Sequence, residues 1–221
     1  MSVLRIDASI QGDRSSSSAL ADNVIAEFIA AHPDTEVVSR HLGSEPLPSD
    51  AWASAIGGNY TPEANRTDAQ RAAIALAQGL AQELQDASAA VFALPLYNWG
   101  VSQHVKTWID LVIAGTPAGV KLLDGKPVVV VVTRGGSYAP GTPKEGWDHN
   151  IDYVRRIVGE VWGADVTIVE REFTLVGVNP ALDQFTDVAA AMKATAEGHA
   201  TAAGARLAEH HAAATVHAQV A

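Results

Sequence analysis

The stretch VFALPLYNWG, residues 91–100, holds the strongest fold signal in the chain. It begins as a continuous apolar run, which is typical of a parallel strand buried on both faces. Pro95 has no N–H to donate to a neighbouring strand, so the strand ends there. Ligands bind outside the carboxyl ends of the strands in an open α/β sheet. The residues after Pro95 would therefore hold a flat aromatic ligand, or they form an ordinary strand-to-helix turn with aromatics in the core. These residues are Leu96, Tyr97, Asn98 and Trp99.

The bulk composition narrows the class of protein. The chain has 221 residues, a net charge of −10 and no cysteine. The acidic excess argues against a general nucleic-acid or anionic-membrane surface. The lack of cysteine excludes disulfides, thiol redox chemistry and thiolate metal sites. No apolar run reaches membrane-spanning length. The first residues, MSVLRID, lack the basic region and long apolar core of a signal peptide, so we expect a cytoplasmic location.

A polar loop follows the first predicted strand, Val3 to Ala8. The loop runs from Ser9 to Ser18 and leads into a helix with apolar residues at helical spacing. Unpaired N–H groups at the start of a helix, together with serine hydroxyls and Arg14, form a cradle suited to phosphate. The alternative is a plain helix cap, for which one serine suffices. The loop has no P-loop pattern, and no Gly-x-Gly-x-x-Gly follows a strand.

A run of valines, Val128 to Val132, predicts the clearest strand in the chain, and a β-branched run of this kind belongs inside the sheet. The strand ends in Thr133, Arg134, Gly135 and Gly136. Adjacent glycines let a backbone approach a ligand closely, and their N–H groups suit negative charge on a ring edge. They are equally compatible with an ordinary turn.

The order of the predicted elements indicates the fold class. Further strands at 35–42, 89–94 and 166–169 alternate with helical patterns. This order predicts a single α/β domain, residues 1–207, with a doubly wound five-stranded parallel sheet of order 2-1-3-4-5 and helices on both faces. The arrangement is flavodoxin-like. The three candidate loops follow strands one, three and four, so we expect them to meet at one edge of the sheet.

Two segments lie outside this regular pattern. Residues 43–66 are rich in Gly, Pro, Ser and Asn and predict a long loop. Residues 208–221 carry His210, His211 and His217 among alanines. A metal site is one interpretation of these histidines, and a frayed or disordered tail is the other. We expect the tail and predict no metal site.

Three motifs of this chain, taken together with their order and spacing along the sequence, resemble those of the bacterial FMN-dependent NADH-azoreductases and the related NAD(P)H:quinone oxidoreductases. The resemblance covers residues 3–169. Its most specific part is PLYNW at 95–99, which is similar to the family's Pro-x-Tyr-Asn-Phe/Trp. The second part is Thr-Arg-Gly-Gly at 133–136, and the third is Ser9 with the serines at 15–17.

The resemblance implies a homodimer with one FMN per subunit, bound at the dimer interface. By carry-over, the FMN phosphate would be held by Ser9, Ser15, Ser16 and Ser17. The isoalloxazine ring would be lined by Leu96, Tyr97, Asn98 and Trp99. Its pyrimidine edge and side chain would be contacted by Thr133, Arg134, Gly135 and Gly136.

The implied activity is ping-pong transfer of two electrons from NADH or NADPH, through FMN, to quinones and secondarily to azo compounds. The flavin carries the chemistry and the protein positions it. Asn98 would orient the ring, and no side chain need be an obligatory acid or base. His149 is a candidate proton donor, although a surface histidine is the plainer interpretation. The competing hypotheses are a flavodoxin-like FMN electron carrier and a non-catalytic module that binds a nucleotide or a protein.

Overall fold

The computed structural model describes residues 2–220, with side chains described as far as His211. The strands are β1 (Ser2–Asp7), β2 (Glu36–His41), β3 (Ala87–Ala93), β4 (Pro127–Thr133) and β5 (Asp165–Arg171). The helices are α1 (Ser16–Ala31), α2 (Ala51–Asn59), α3 (Asp68–Asp86), α4 (Gln103–Gly115), α5 (Ile151–Arg155) and α6 (Thr186–Val220). Short 3₁₀ turns cover Gly12–Arg14, Glu63–Asn65 and Pro180–Phe185, and a π-helical turn covers Arg156–Val161.

The five strands form one parallel sheet in the order β2-β1-β3-β4-β5, which confirms the predicted topology. The valine strand β4 is paired on both sides, by β3 and β5, as its composition predicts. Phe92 of β3 lies opposite Ile6 on one side and Val130 on the other. The edge strand β2 is the most exposed, which agrees with its mixed polar sequence.

Two apolar cores lie on the two faces of the sheet. Val128, Val130 and Val132 point into the core covered by α2 to α5, whereas Val129 and Val131 point into the core covered by α1 and α6. This alternation follows from the two-residue repeat of a strand. A strand that is apolar at every position therefore needs helices on both faces.

The loop predicted at residues 43–66 contains a helix, α2. Ala51 and Ala55 are buried in the core beneath it, and Gly58 lies against Ile74 of α3. The small residues that suggest a loop instead let α2 approach α3 closely. Trp52 and Tyr60 are exposed on its outer side.

The C-terminal helix continues past the predicted end of the domain. Ala208 and His211 are only 5% and 6% exposed. The His211 ring packs edge-on against Phe28, with 5.2 Å between centroids, and the Nε2 atom of His32 lies 2.9 Å from the Ala208 carbonyl oxygen. The structure thus corrects the predicted tail at 208–211, because this turn packs on α1. Beyond His211 the prediction falls outside the described side chains.

No helix in the described part of the chain has the length and apolarity needed to cross a bilayer.

We expect Gly204→Ala to destabilise the protein by about 1–3 kcal/mol, the usual range for overpacking. A Cβ atom at Gly204 would lie 2.5 Å from the Val24 carbonyl oxygen and 2.8 Å from the Cβ of Glu27, so α6 would have to move away from α1. Gly198→Ala on the same helix is the matched control, since a Cβ there meets no heavy atom within 4 Å. The control should gain up to about 1 kcal/mol from helix propensity. Urea unfolding measures both; equal effects would contradict the close contact.

Candidate functional site

A cleft of about 370 Å³ lies at the carboxyl edge of the sheet, a volume typical of small-molecule sites. The loops after β1, β3 and β4 form its walls, as expected from their positions in the fold. Arg14 of the predicted phosphate cradle and ten further residues predicted from the sequence line this space. The ten are Ser9, Ser16, Ser17, Leu96, Tyr97, Asn98, Trp99, Thr133, Gly135 and Gly136.

The serines after β1 have two different roles: one caps helix α1 and three line the cleft. The Ser15 Oγ atom accepts a hydrogen bond from the Ser18 N–H at 3.1 Å and lies 3.1 Å from the Ser17 Oγ atom. Ser15 is thus the N-cap of α1, and it does not line the cleft. Ser9, Ser16 and Ser17 do line it. The two interpretations of the loop, cap and cradle, apply to different serines.

The Tyr97 side chain joins two walls of the cleft. Its hydroxyl accepts a hydrogen bond from the Ile10 N–H at 3.1 Å and lies 3.3 Å from the Ser9 Oγ atom. Ser9 Oγ in turn accepts from the Gln11 N–H at 3.2 Å. The tyrosine expected to line the isoalloxazine ring therefore also joins the loop after β1 to the loop after β3.

The Tyr97–Gly100 segment is a tight hairpin with a strained tip. Backbone hydrogen bonds of 3.1 and 3.0 Å join Tyr97 and Gly100 in both directions. Asn98 and Trp99 have φ values of 46° and 66°, the signs of a type I′ turn. Asparagine tolerates this region, but it costs a residue such as tryptophan about 1–2 kcal/mol. The turn places the Trp99 ring, which is 45% exposed, in the wall of the cleft.

The Arg134 side chain does not line the cleft. It is 6% exposed, its Nε atom lies 2.5 Å from Asp148 and its Nη1 atom lies 2.6 Å from Glu170. Glu172 is 3.8 Å away. Burial alone would lower the pKa of Arg134, but the hydrogen bonds and charges of Glu170 and Asp148 outweigh it and raise the pKa. The structure thus places the guanidinium in a cluster of ion pairs with three carboxylates, and a flavin contact by Arg134 stays a prediction.

Two of the carboxylates that contact Arg134 also accept hydrogen bonds from the loop after β4. Asp148 accepts hydrogen bonds from the Asn150 and Ile151 N–H groups, at 2.8 and 3.1 Å, and so begins α5. Glu172 accepts from the Ser137 hydroxyl at 2.5 Å and from the Tyr138 N–H at 2.8 Å. The loop after β4 is consequently held at both of its ends.

His149 is exposed, and its side chain does not line the cleft. Its backbone N–H donates to the Trp99 carbonyl oxygen at 2.9 Å. Trp147, two residues before His149, packs edge-on against Trp99 with 5.9 Å between the ring centroids. His149 therefore supports the tryptophan pair through its backbone, and its position gives no support to the proton-donor role.

Several cleft residues were not predicted from the sequence. They are Gln11, Tyr138, Lys144, Thr174, Leu175 and Val178. Thr174 and Leu175 follow β5 and donate backbone hydrogen bonds to the carbonyl oxygens of Arg134 and Gly135, at 3.0 and 3.2 Å. Their position just beyond the carboxyl end of a strand was the signal that could have identified them.

The sheet order and the cleft define a flavodoxin-like protein, and residues 1–211 match a family model described as flavodoxin-like fold. A protein from Frankia alni named FMN-dependent NADH:quinone oxidoreductase is 38% identical over 200 residues, or 88% of this chain and 94% of the relative. One of the same name from Frankia casuarinae is 35% identical over 210 residues, 93% of this chain and 97% of the relative. The chain therefore belongs to the flavodoxin-like family of FMN-dependent NADH:quinone oxidoreductases.

Solved structures agree on the fold. An azoreductase from Bacillus anthracis str. Sterne superposes with a TM-score of 0.74 at 24% identity, covering 93% of this chain and 100% of the other. An FMN-dependent NADH-azoreductase from Bacillus anthracis str. Ames Ancestor, solved in complex with FMN, gives a TM-score of 0.72 at 20% identity, covering 94% and 100%. At these identities the likeness establishes the shared fold.

We expect Arg134→Met to lower the free energy of unfolding by about 3 kcal/mol, because it leaves the largely buried carboxylates of Asp148 and Glu172, each 12% exposed, without their cation. Arg156→Met is the matched control. Arg156 and Glu160 are both more than 70% exposed, at 71% and 73%, and lie 3.7 Å apart, so the loss there should stay below about 1 kcal/mol. Urea denaturation compares the two variants. Equal losses would contradict the structural role of the buried cluster.

Proposed function

We propose that this protein is an FMN-dependent oxidoreductase that takes two electrons from NADH or NADPH and passes them to a quinone, with azo compounds as a second class of acceptor. The observation that carries the proposal is one cleft with a helix N-terminus and serine hydroxyls at one end and an aromatic and glycine wall at the other. A flavin mononucleotide needs these two environments side by side. The relatives named FMN-dependent NADH:quinone oxidoreductase support the same activity.

The phosphate end of the cleft has the right donors for an anion. Ser9, Ser16 and Ser17 line it beside the first turn of α1, where N–H groups and the helix dipole favour negative charge. Arg14 lines the same space and adds a positive charge. These residues would hold the phosphate of FMN.

The ring end of the cleft suits a flat aromatic group. Leu96 and Trp99 supply apolar surface there. A Cβ atom at Gly136 would meet no heavy atom within 4 Å, so the backbone at this position borders open space. The carbonyl oxygens of Gly135 and Gly136 accept bonds from Leu175 and Phe173, while their N–H groups donate to nothing within the described residues. Those two amides are available to a ligand edge.

When bound, FMN supplies the redox chemistry by accepting a hydride from the nicotinamide and giving it to the quinone. The amides of Gly135 and Gly136 would stabilise negative charge at the pyrimidine edge. Asn98, which lines the cleft on the hairpin tip, would orient the ring. The Trp99 ring would limit access of water to the reacting face. No side chain in the cleft is needed as an obligatory acid or base, since solvent or the quinone itself can supply the proton.

The proposal includes a homodimer with FMN at the interface and a cytoplasmic location. Trp99 and Trp147 are 45% and 50% exposed and lie together at the cleft mouth. Exposed apolar side chains that cluster in this way suit a ligand or a partner surface. A second copy that packs over them would complete the cleft.

The direct test is an absorbance spectrum of the FMN-loaded protein before and after anaerobic NADH and then NADPH, with a quinone added last. We expect the flavin absorbance to bleach with at least one nucleotide and to return with the quinone. A bound flavin that neither nucleotide reduces would favour the electron carrier. A protein that cannot be loaded with FMN would contradict the proposal outright.

We expect Gly136→Val to weaken FMN binding at least tenfold, which corresponds to about 1.4 kcal/mol. The added side chain would project into open space on the cleft wall and leave the packing of the fold unchanged. Gly79→Val, at an exposed and equally open glycine of α3 remote from the cleft, is the control and should bind FMN normally. Quenching of FMN fluorescence measures both. Full affinity in Gly136→Val would mean that the flavin does not contact this wall.

A further inference from the structure

A second cavity of about 330 Å³ lies beside the phosphate end of the cleft. It is bounded by residues 13–15, the first two turns of α1, the last residue of β5 and the first half of α6. Three cationic side chains line it: Arg14, Arg171 and Lys193. Arg14 and Ser16 line both spaces, so the two are neighbours that share one wall.

The charges in this second cavity are not balanced. The carboxylates that line it are Asp13 and Glu197. Lys193 and Glu197 form an ion pair at 3.7 Å. Within the described residues, neither Arg14 nor Arg171 forms an ion pair. The cavity thus holds two guanidinium groups with no anion bonded to them.

Arg171 carries the strongest sign that an acceptor belongs here. Its Nε atom is buried and has no hydrogen-bond partner among the described residues. Burial lowers the pKa of Arg171, and the charge of Glu197 offsets this only in part. Buried donors without an acceptor are rare in native proteins, because nothing replaces the lost bond to water. A bound oxyanion would supply acceptors for the guanidinium nitrogens of Arg171 that are open to the cavity.

We propose that the second cavity binds a phosphate dianion, in addition to the FMN phosphate held in the cleft. Guanidinium groups present paired donors that match phosphate oxygens, and Lys193 adds a point charge. Arg14 would lie between the two phosphates and offset their repulsion. The first turn of α1 contributes its dipole to both.

Two sources supply this chemistry: free inorganic phosphate and the 2′-phosphate on the adenosine ribose of NADPH. The second source rests on the proposed function, because it requires the nicotinamide to lie in the cleft. An arginine beside the ribose is also how other dinucleotide sites accept that phosphate. NADH has no such group, so the cavity would favour NADPH.

The first experiment titrates sodium phosphate into the FMN-loaded protein in a phosphate-free buffer, with sodium chloride of equal ionic strength as the reference. Calorimetry should show saturable binding of phosphate that chloride does not reproduce. The double variant Arg171→Gln/Lys193→Gln should bind phosphate at least tenfold more weakly. Arg206→Gln, an exposed cation farther along α6, removes positive charge elsewhere and should bind it as the wild type does.

The flavin absorbance is recorded throughout, so that loss of FMN is seen separately from loss of phosphate binding. If the protein holds no FMN, the same titration on the flavin-free protein still tests the cavity through its dependence on Arg171 and Lys193. Equal heats with phosphate and chloride would overturn the proposal. Unchanged phosphate affinity in the double variant would overturn it as well.

The second experiment separates the two sources by comparing KM for NADPH and NADH. If the cavity receives the NADPH phosphate, the double variant should raise KM for NADPH at least tenfold and leave KM for NADH unchanged. If only the free ion binds, both KM values stay the same although the phosphate titration is lost. A change of equal size for both nucleotides would overturn the NADPH assignment.

Discussion

Burial of β4 on both faces is the constraint on which the rest of the structure depends. Its valines, Val128 to Val132, are at most 2% exposed. A strand with no polar position needs apolar cover on each side, and here α1 and α6 form one cover while α2 to α5 form the other. Parallel neighbours also need crossover connections, which bring all carboxyl strand ends to one edge. The cleft is a direct result of this topology.

The walls of the cleft are ordered by interactions that do not themselves face it. The Tyr97 hydroxyl joins the loops after β1 and β3, and the buried Arg134 joins β4 and β5 to the loop that begins α5. The backbone of Trp99 is in the left-handed region, and the surrounding interactions offset the free-energy cost of that conformation. A site arranged before the ligand arrives loses less conformational entropy on binding, which suits a cofactor that must be held in one orientation.

The fold was largely predictable because its signals are local. The valine run, the strand that ends at Pro95 and the serines before α1 each carry their own periodicity or turn chemistry, and topological rules then leave few arrangements. The helix within residues 43–66 was missed because its small residues resemble a loop, although Gly58 allows contact with α3. The tail at 208–211 was missed because an alanine-rich pattern does not reveal the partner helix that it packs against.

By itself, the sequence determined the five strands, their order and the loops that meet at one edge, since apolar spacing and strand-ending residues act over a few neighbours. The tertiary structure alone decided what the polar side chains contact. Arg134 belongs to a motif predicted to contact a ligand, but carboxylates from Asp148, Glu170 and Glu172 surround it. Leu175 reaches the cleft through hydrogen bonding to the β4 loop. Such partners lie far apart in the chain, so their pairing depends on three-dimensional distance and burial, which a linear pattern does not contain.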